Sequence, residues 1–151
     1  MTEAVVFAAV FIALYIGHSV GDHWSQTTCQ ALTKGRPDWT GRLAAARHVL
    51  TLTLTKAVPL TAVVLVLDLP VTALGLVAGL GIDAASHWWA DRRSTLARLA
   101  RLVGRTEFYE LGSKVVDDNG HPTHLGTGAY ALDQSWHMLW LGIGALIIAA
   151  V

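Results

Sequence analysis

The chain has 151 residues, 53% hydrophobic and only 15% charged, with a mean hydropathy of +0.46. Soluble domains carry about 25% charged residues, so the composition argues for a membrane protein and against a free globular enzyme. Net charge is zero and Cys29 is the one cysteine, so no internal disulfide or cysteine zinc knuckle can form, and any basic surface must come from distribution.

The first apolar run, about residues 4–24, is long enough to cross a ~30 Å hydrocarbon core. It makes a poor signal peptide, because Glu3 stands where a base is expected and no small-x-small site follows. A polar loop over 25–42 comes next, with an evident turn at Lys34-Gly35-Arg36-Pro37-Asp38. A second apolar run covers 43–67, interrupted by Lys56 and Pro59. Asp68-Leu69-Pro70 is too short for more than a tight turn, so the third run, 71–90, returns antiparallel. The hydrophilic stretch 91–129 contains Leu96, Leu99, Leu102 and Val103 on one side of a short helix, with Arg98 and Arg101 beside them, the pattern of an interfacial amphipathic helix. Asp117-Asp118-Asn119-Gly120 reads as a turn. A fourth run, 130–151, ends the sequence.

Nine of the eleven Lys and Arg fall in the two long loops, Lys34, Arg36, Arg42 and six from Arg92 to Lys114, and Arg47 lies just inside the second run at the same end. The positive-inside rule then places both loops in the cytoplasm and both termini outside. Trp24, Trp88, Trp89 and Trp136 fall near that inner interface, where an aromatic belt is expected. The predicted fold is therefore an all-α, four-helix membrane bundle, a single transmembrane domain with an interfacial helix between the third and fourth spans. Few lysines beside abundant Ala, Gly and Arg suit a GC-rich bacterial genome, and the expected location is a bacterial inner membrane.

That topology gathers polar residues which apolar runs should avoid. His18 and Asp22, Asp83 and His87, and Asp133 and His137 are each four apart, so each pair shares a helix face with Cβ atoms ~5–6 Å apart. His48 opens the second run at the same depth. An intramembrane Asp costs some 2.5–3.5 kcal/mol on insertion scales, and three of them, each with a histidine, call for more than helix stapling. Imidazole and carboxylate bind Zn²⁺, and related sets suit Mn²⁺ or Fe²⁺. The pool His18, Asp22, Asp83, His87, Asp133 and His137 exceeds the three ligands of a usual catalytic zinc, so one or two ions are expected. His48 is then a ligand or general base, and Asp22 a second catalytic candidate. Gln26 and Gln134 are candidate substrate contacts or helix caps. Arg47, Arg92 and Arg93 are candidates to hold a phosphate or anionic headgroup, or anchors at the inner leaflet. Lys56 either pairs with a site carboxylate or snorkels. His121 and His124 belong to the loop, with a lid as one option. Gly17 and Gly21, and Gly75 and Gly79 above Asp83, allow close helix approach.

Gly17-His18-Ser-Val-Gly-Asp22-His-Trp-Ser-Gln26, the lone His48, Asp83-Ala-Ala-Ser-His87-Trp88 and Leu132-Asp133-Gln134-Ser-Trp-His137 together resemble the Domain of Unknown Function 3307 family of small bacterial multi-pass membrane proteins. In that family the third-helix motif is commonly written with His before Asp, whereas here Asp83 precedes His87. Similar patterns occur in membrane proteins described as metal-dependent hydrolases, so the resemblance implies the fold and the site. The leading expectation is a membrane-embedded metal-dependent hydrolase acting on a lipid or lipid-linked substrate. A proton or divalent-cation transporter, or a scaffold with a structural His/Asp network, are the alternatives. Membrane lipids and a second copy of the chain are the expected partners. No Gly-rich phosphate loop follows a strand, and no nucleic acid is expected.

Overall fold

A computed structural model describes residues 2–112, 120 and 126–151. Its elements are helical, and among the described residues there is no strand. Helix α1 (Glu3–Val20) runs into a π-helical turn, Gly21–Ser25. Then come α2 (Thr28–Thr33), α3 (Trp39–Val66), α4 (Ala73–Asp91), α5 (Ser94–Leu102), α6 (Thr106–Tyr109) and α7 (Thr127–Ala150). Among the described residues two helical segments, Glu3–Ser25 and Trp39–Val66, are long and apolar enough to cross a membrane. Asp83 and His87 on α4, and Asp133, Gln134 and His137 on α7, interrupt the apolar stretches of those helices.

Local chemistry fixes the ends. The second helix begins four residues before the expected Leu43, because Asp38 is extended and its carboxylate accepts the Gly41 N–H at 2.8 Å. Thr72 starts α4 in the same way, its hydroxyl accepting from Gly75 N at 2.9 Å. The segment expected as a plain loop over 25–42 contains α2, set by a Thr27/Gln30 capping box. The expected tight turn has Asp68 at φ 49° and buries Leu69. The amphipathic helix forms as α5, but its apolar stripe divides. Leu96 and Ala100 are buried, while Leu102 is exposed, because the nine-residue helix turns only one side toward α7. The turn expected over 117–120 lies, but for Gly120, outside the described residues, as do Lys114, His121 and His124.

The four long helices pack in a ring: α1 against α3 and α7, and α4 against α7 and α3. Glycine sets the closest approaches. A Cβ on Gly17 would lie 2.6 Å from Lys56 Cα, and one on Gly144 would lie 2.8 Å from the Gly79 carbonyl oxygen. One end of the ring is filled by Val6, Val10, Leu14, Leu60, Leu141 and Ile148. The other end holds the histidines and aspartates. On the outside, Ile12, Leu54, Val58, Leu65, Val77 and Leu146 are more than half exposed, so the long helices face outward with apolar side chains.

Candidate metal centre

Each long helix contributes one imidazole to the polar end: His18 from α1, His48 from α3, His87 from α4 and His137 from α7, all at most 2% exposed. Their rings form a chain. His48 and His87 centroids are 5.1 Å apart, His87 stacks on His137 at 3.8 Å, and His18 lies 5.4 Å from His87 and 5.2 Å from His137. Ridges alone would not bring four polar rings together; the glycine contacts beside them do, by drawing α1 onto α3 and α4 onto α7.

Carboxylates surround the rings. Asp22 Oδ1 lies 3.1 Å from His48 Nε2, and Asp91 Oδ2 lies 3.2 Å from His87 Nε2 and 3.4 Å from His48 Nε2. His48 Nε2 and His87 Nε2 are 3.1 Å apart. Asp133 Oδ2 is 3.3 Å from His137 Nε2. Two groups of three offer ligand atoms mutually within 4.8 Å: Asp22, His48 and His87, and His87, Asp91 and His137. Bonds of 2.0–2.2 Å in a tetrahedron space the ligand atoms roughly 3.3–3.6 Å apart, close to the separations found here. Hydrogen bonding leaves much of the cluster unsatisfied. Both ring nitrogens of His18, and Nδ1 of His87 and of His137, are buried without a hydrogen-bond partner among the described residues. Buried polar atoms are ordinarily bonded, and a divalent ion is a partner these nitrogens fit. His/Asp groups of this kind could therefore hold a metal ion.

Of the seven residues expected at the site, six share this cluster, and Asp83 does not. Its carboxylate pairs with Lys56 Nζ, one turn deeper, where both groups are wholly buried. Two residues that the sequence reading left out take part instead. Asp91 stands four after His87, on the same helix face, where the end of the apolar run had hidden it in the loop. Lys34, read as a loop charge, lies 2.7 Å from Asp91 Oδ1 and 3.7 Å from Asp22 Oδ1. Burial pulls the Lys34 ammonium down, but Asp91 and then Asp22 more than reverse this, so its pKa stands above the ordinary lysine value.

The other candidates separate by position. Gln26 Nε2 lies 3.0 Å from the His48 ring nitrogens, and Gln134 donates to Asp22 Oδ2 at 3.1 Å and more weakly to Asp133. Arg93 donates to the Ala31 carbonyl and borders the cluster's open side. Arg92 instead donates to the carbonyls of Lys34, at 2.7 Å, and Arg36, with its guanidinium 5.9 Å from the Trp88 ring. It fastens the 34–36 turn to the end of α4. Arg47 is exposed. A cavity of about 510 Å³ opens onto the cluster, lined by Asp22, Gln26, Lys34, Arg93, Asp133 and Gln134 among others.

The π turn has a part in this. In a regular helix Asp22 would continue the His18 face; the wider turn shifts the residues after Gly21, and Gly21 itself has Leu52 against it where a Cβ would stand. Single π turns inside α-helices recur at functional sites. Comparison with protein-family models, with curated proteins and with solved structures gives no match for the chain.

Proposed function

We propose that the protein is a four-span membrane protein with both termini outside, whose His/Asp cluster binds one or two divalent ions, zinc foremost, at the cytoplasmic leaflet, and that it hydrolyses a lipid or lipid-linked substrate there. The observation that carries this reading is the set of buried imidazole nitrogens without hydrogen-bond partners, ringed by carboxylates and opening to a polar cavity. Four spans are supported by the apolar outer faces of all the long helices, and the orientation by the basic loops at the polar end.

His18, His87, Asp91 and His137 would hold an ion, and Asp22, His48 and His87 would seat a second. A bound divalent ion lowers the pKa of a water ligand and polarises the group to be cleaved. The chain's own residues supply the rest. With an ion only in the first group, the His48 ring, held beside Gln26 and Asp22, is placed to take a proton from water and return it to a leaving group. Asp133 orients His137.

Transport has less support. The Lys56–Asp83 pair closes the polar region, and the apolar core beyond it offers no polar path to the other end among the described residues. Elemental analysis of the detergent-purified chain should find at least one zinc, manganese or iron per chain, reduced by His87→Ala. A folded preparation that contains no metal and takes none up would overturn the proposal.

A further inference from the structure

A second hollow lies apart from the cluster, on the outside of the bundle between α1 and α3. These helices belong to the two segments long and apolar enough to cross a membrane, so in the proposed topology its mouth faces hydrocarbon. Ile16, Gly17 and Val20 form one wall and Leu54, Val58 and Pro59 the other, around a volume of about 520 Å³. Gly17 makes the floor. A Cβ there would lie 2.6 Å from Lys56 Cα and 3.1 Å from Pro59 Cγ, so the two backbones meet and longer side chains stand up on either side. Ile16, Leu54 and Val58 are half exposed or more, and none of the described residues covers the groove.

Width and depth decide what fits. Along α3 the lining runs from Thr51 to Pro59, about 12 Å at the helical rise. A volume of 520 Å³ over that length leaves a cross-section of about 40 Å², against about 80–110 Å² for a helix with its side chains. A helix is too thick. A hydrocarbon chain, whose carbons touch their neighbours at about 4 Å, fits with room to bend. The groove starts at Thr51, about one turn from His48, and leads away from the cluster. Its polar atoms gather at the near end, where the hydroxyls of Ser25 and Thr55 are 3.3 Å apart and Thr51 stands one turn nearer the cluster. Ser25 lines the groove, and Gln26, the next residue, lines the cavity over the cluster with its amide 3.0 Å from His48. A single residue step of about 3.8 Å therefore separates the two hollows at this point. Head cavity, hydroxyls and apolar groove follow one another in the order of the parts of a lipid in that leaflet.

We infer, resting on the metal-hydrolase reading above, that the groove between α1 and α3 seats one acyl chain of the lipid substrate while its headgroup enters the cavity over the cluster. Bilayer tails are as apolar as the groove, so no hydrophobic gain holds the chain there. The groove acts by shape, aligning a lipid that the headgroup contacts retain.

The test is photolabelling of the zinc-loaded, full-length chain in mixed micelles of neutral detergent and phosphatidylethanolamine, with a diazirine in the middle of one acyl chain or on the headgroup. Labelled residues are mapped by peptide mass spectrometry, and zinc content, helical circular dichroism and mass by light scattering are measured on every sample. Acyl labelling at Ile16 and Val20 about fivefold or more above that at the outward-facing Val77 and Leu146, with headgroup labelling at Gln26 or Gln134, is the expected result. Leu54→Trp and Val58→Trp fill the groove from exposed positions and should cut acyl labelling at Ile16 and Val20 by a similar factor at unchanged zinc content. Should one variant lose helicity, the other decides. Even acyl labelling over all the outer faces means annular lipid only and would overturn the groove, as would tryptophan variants that label like the parent. A dimer that dissociates in Val58→Trp would assign the groove to a second copy and overturn it too. Groove labelling without headgroup labelling at the cavity would overturn the link to the cluster. Each of these results, in a zinc-loaded chain, leaves the hydrolase reading standing. A chain that takes up no zinc but labels in the groove would overturn the hydrolase reading and leave the groove as a lipid site.

Discussion

Asp83 and Asp91 flank His87 at four residues on either side, and they meet different partners. Asp83 is sealed against Lys56, so Asp83→Asn leaves a buried ammonium with no counter-charge, a change that costs roughly 3–5 kcal/mol. The expected outcome is a clear fall in the thermal unfolding midpoint in detergent with metal content retained. Asp91→Asn should give the opposite pattern, with metal affinity about tenfold to a hundredfold weaker by chelator competition and a smaller loss of midpoint. Sequence spacing is symmetric about His87, so periodicity could not say which aspartate belongs to the cluster. Lys56, which is distant in the chain and adjacent in space, decides it. At the same scale, Tyr109 is held above the ordinary tyrosine value, chiefly by burial, with its hydroxyl 3.4 Å from the Arg93 carbonyl. Because the folded chain keeps that phenol protonated longer than the unfolded chain does, its contribution is complete below pH 10 and is lost as pH rises through the raised value. Alkaline titration of phenolate absorbance should therefore show a late-ionising phase, which Tyr109→Phe should abolish.

Helices were the most legible elements, since runs of apolar residues with caps announce themselves. What ran past the pattern was local. The capping box Thr27–Gln30 was present in the sequence as T-x-x-Q, but it lay in a polar stretch without apolar periodicity, so the short α2 was not evident. The π turn after α1 has no sequence signature; it arises where Gly21 lets Leu52 approach. Glycine spacing singled out Gly75 and Gly79 for close packing on α4, and the tightest contact falls on the second. A Cβ on Gly79 would run into the Gly144 carbonyl and Ile148, whereas Gly81 has nothing within 4 Å. Gly79→Ala should lower the unfolding midpoint through about 1–3 kcal/mol of overpacking between α4 and α7. Gly81→Ala should hold or raise it, because alanine is the better helix former by up to about 1 kcal/mol.

At the scale of the whole molecule, polar and apolar residues are segregated to opposite ends of one ring of helices. Cys29, exposed on α2 at the polar end, reports the side on which that end lies. In the proposed orientation a membrane-impermeant maleimide should leave it unlabelled in intact cells and label it in inverted vesicles; the reverse pattern would place the cluster outside. Composition and apolar run length were enough for an all-helical chain with helices fit to cross a membrane, and charge distribution was enough for an expected orientation. Histidines paired with aspartates at helical spacing marked the region of the site, because i and i+4 lie on one face whatever the fold. Only the tertiary structure decided membership. The approach of α1 to α3 at Gly17 and of α4 to α7 at Gly79 brings four imidazoles within touching distance, takes Asp83 out to Lys56, and brings in Asp91 and Lys34. The physical reason is that ligand and counter-ion are distinguished by neighbours on other helices, and helical periodicity carries no information about which helix is next door.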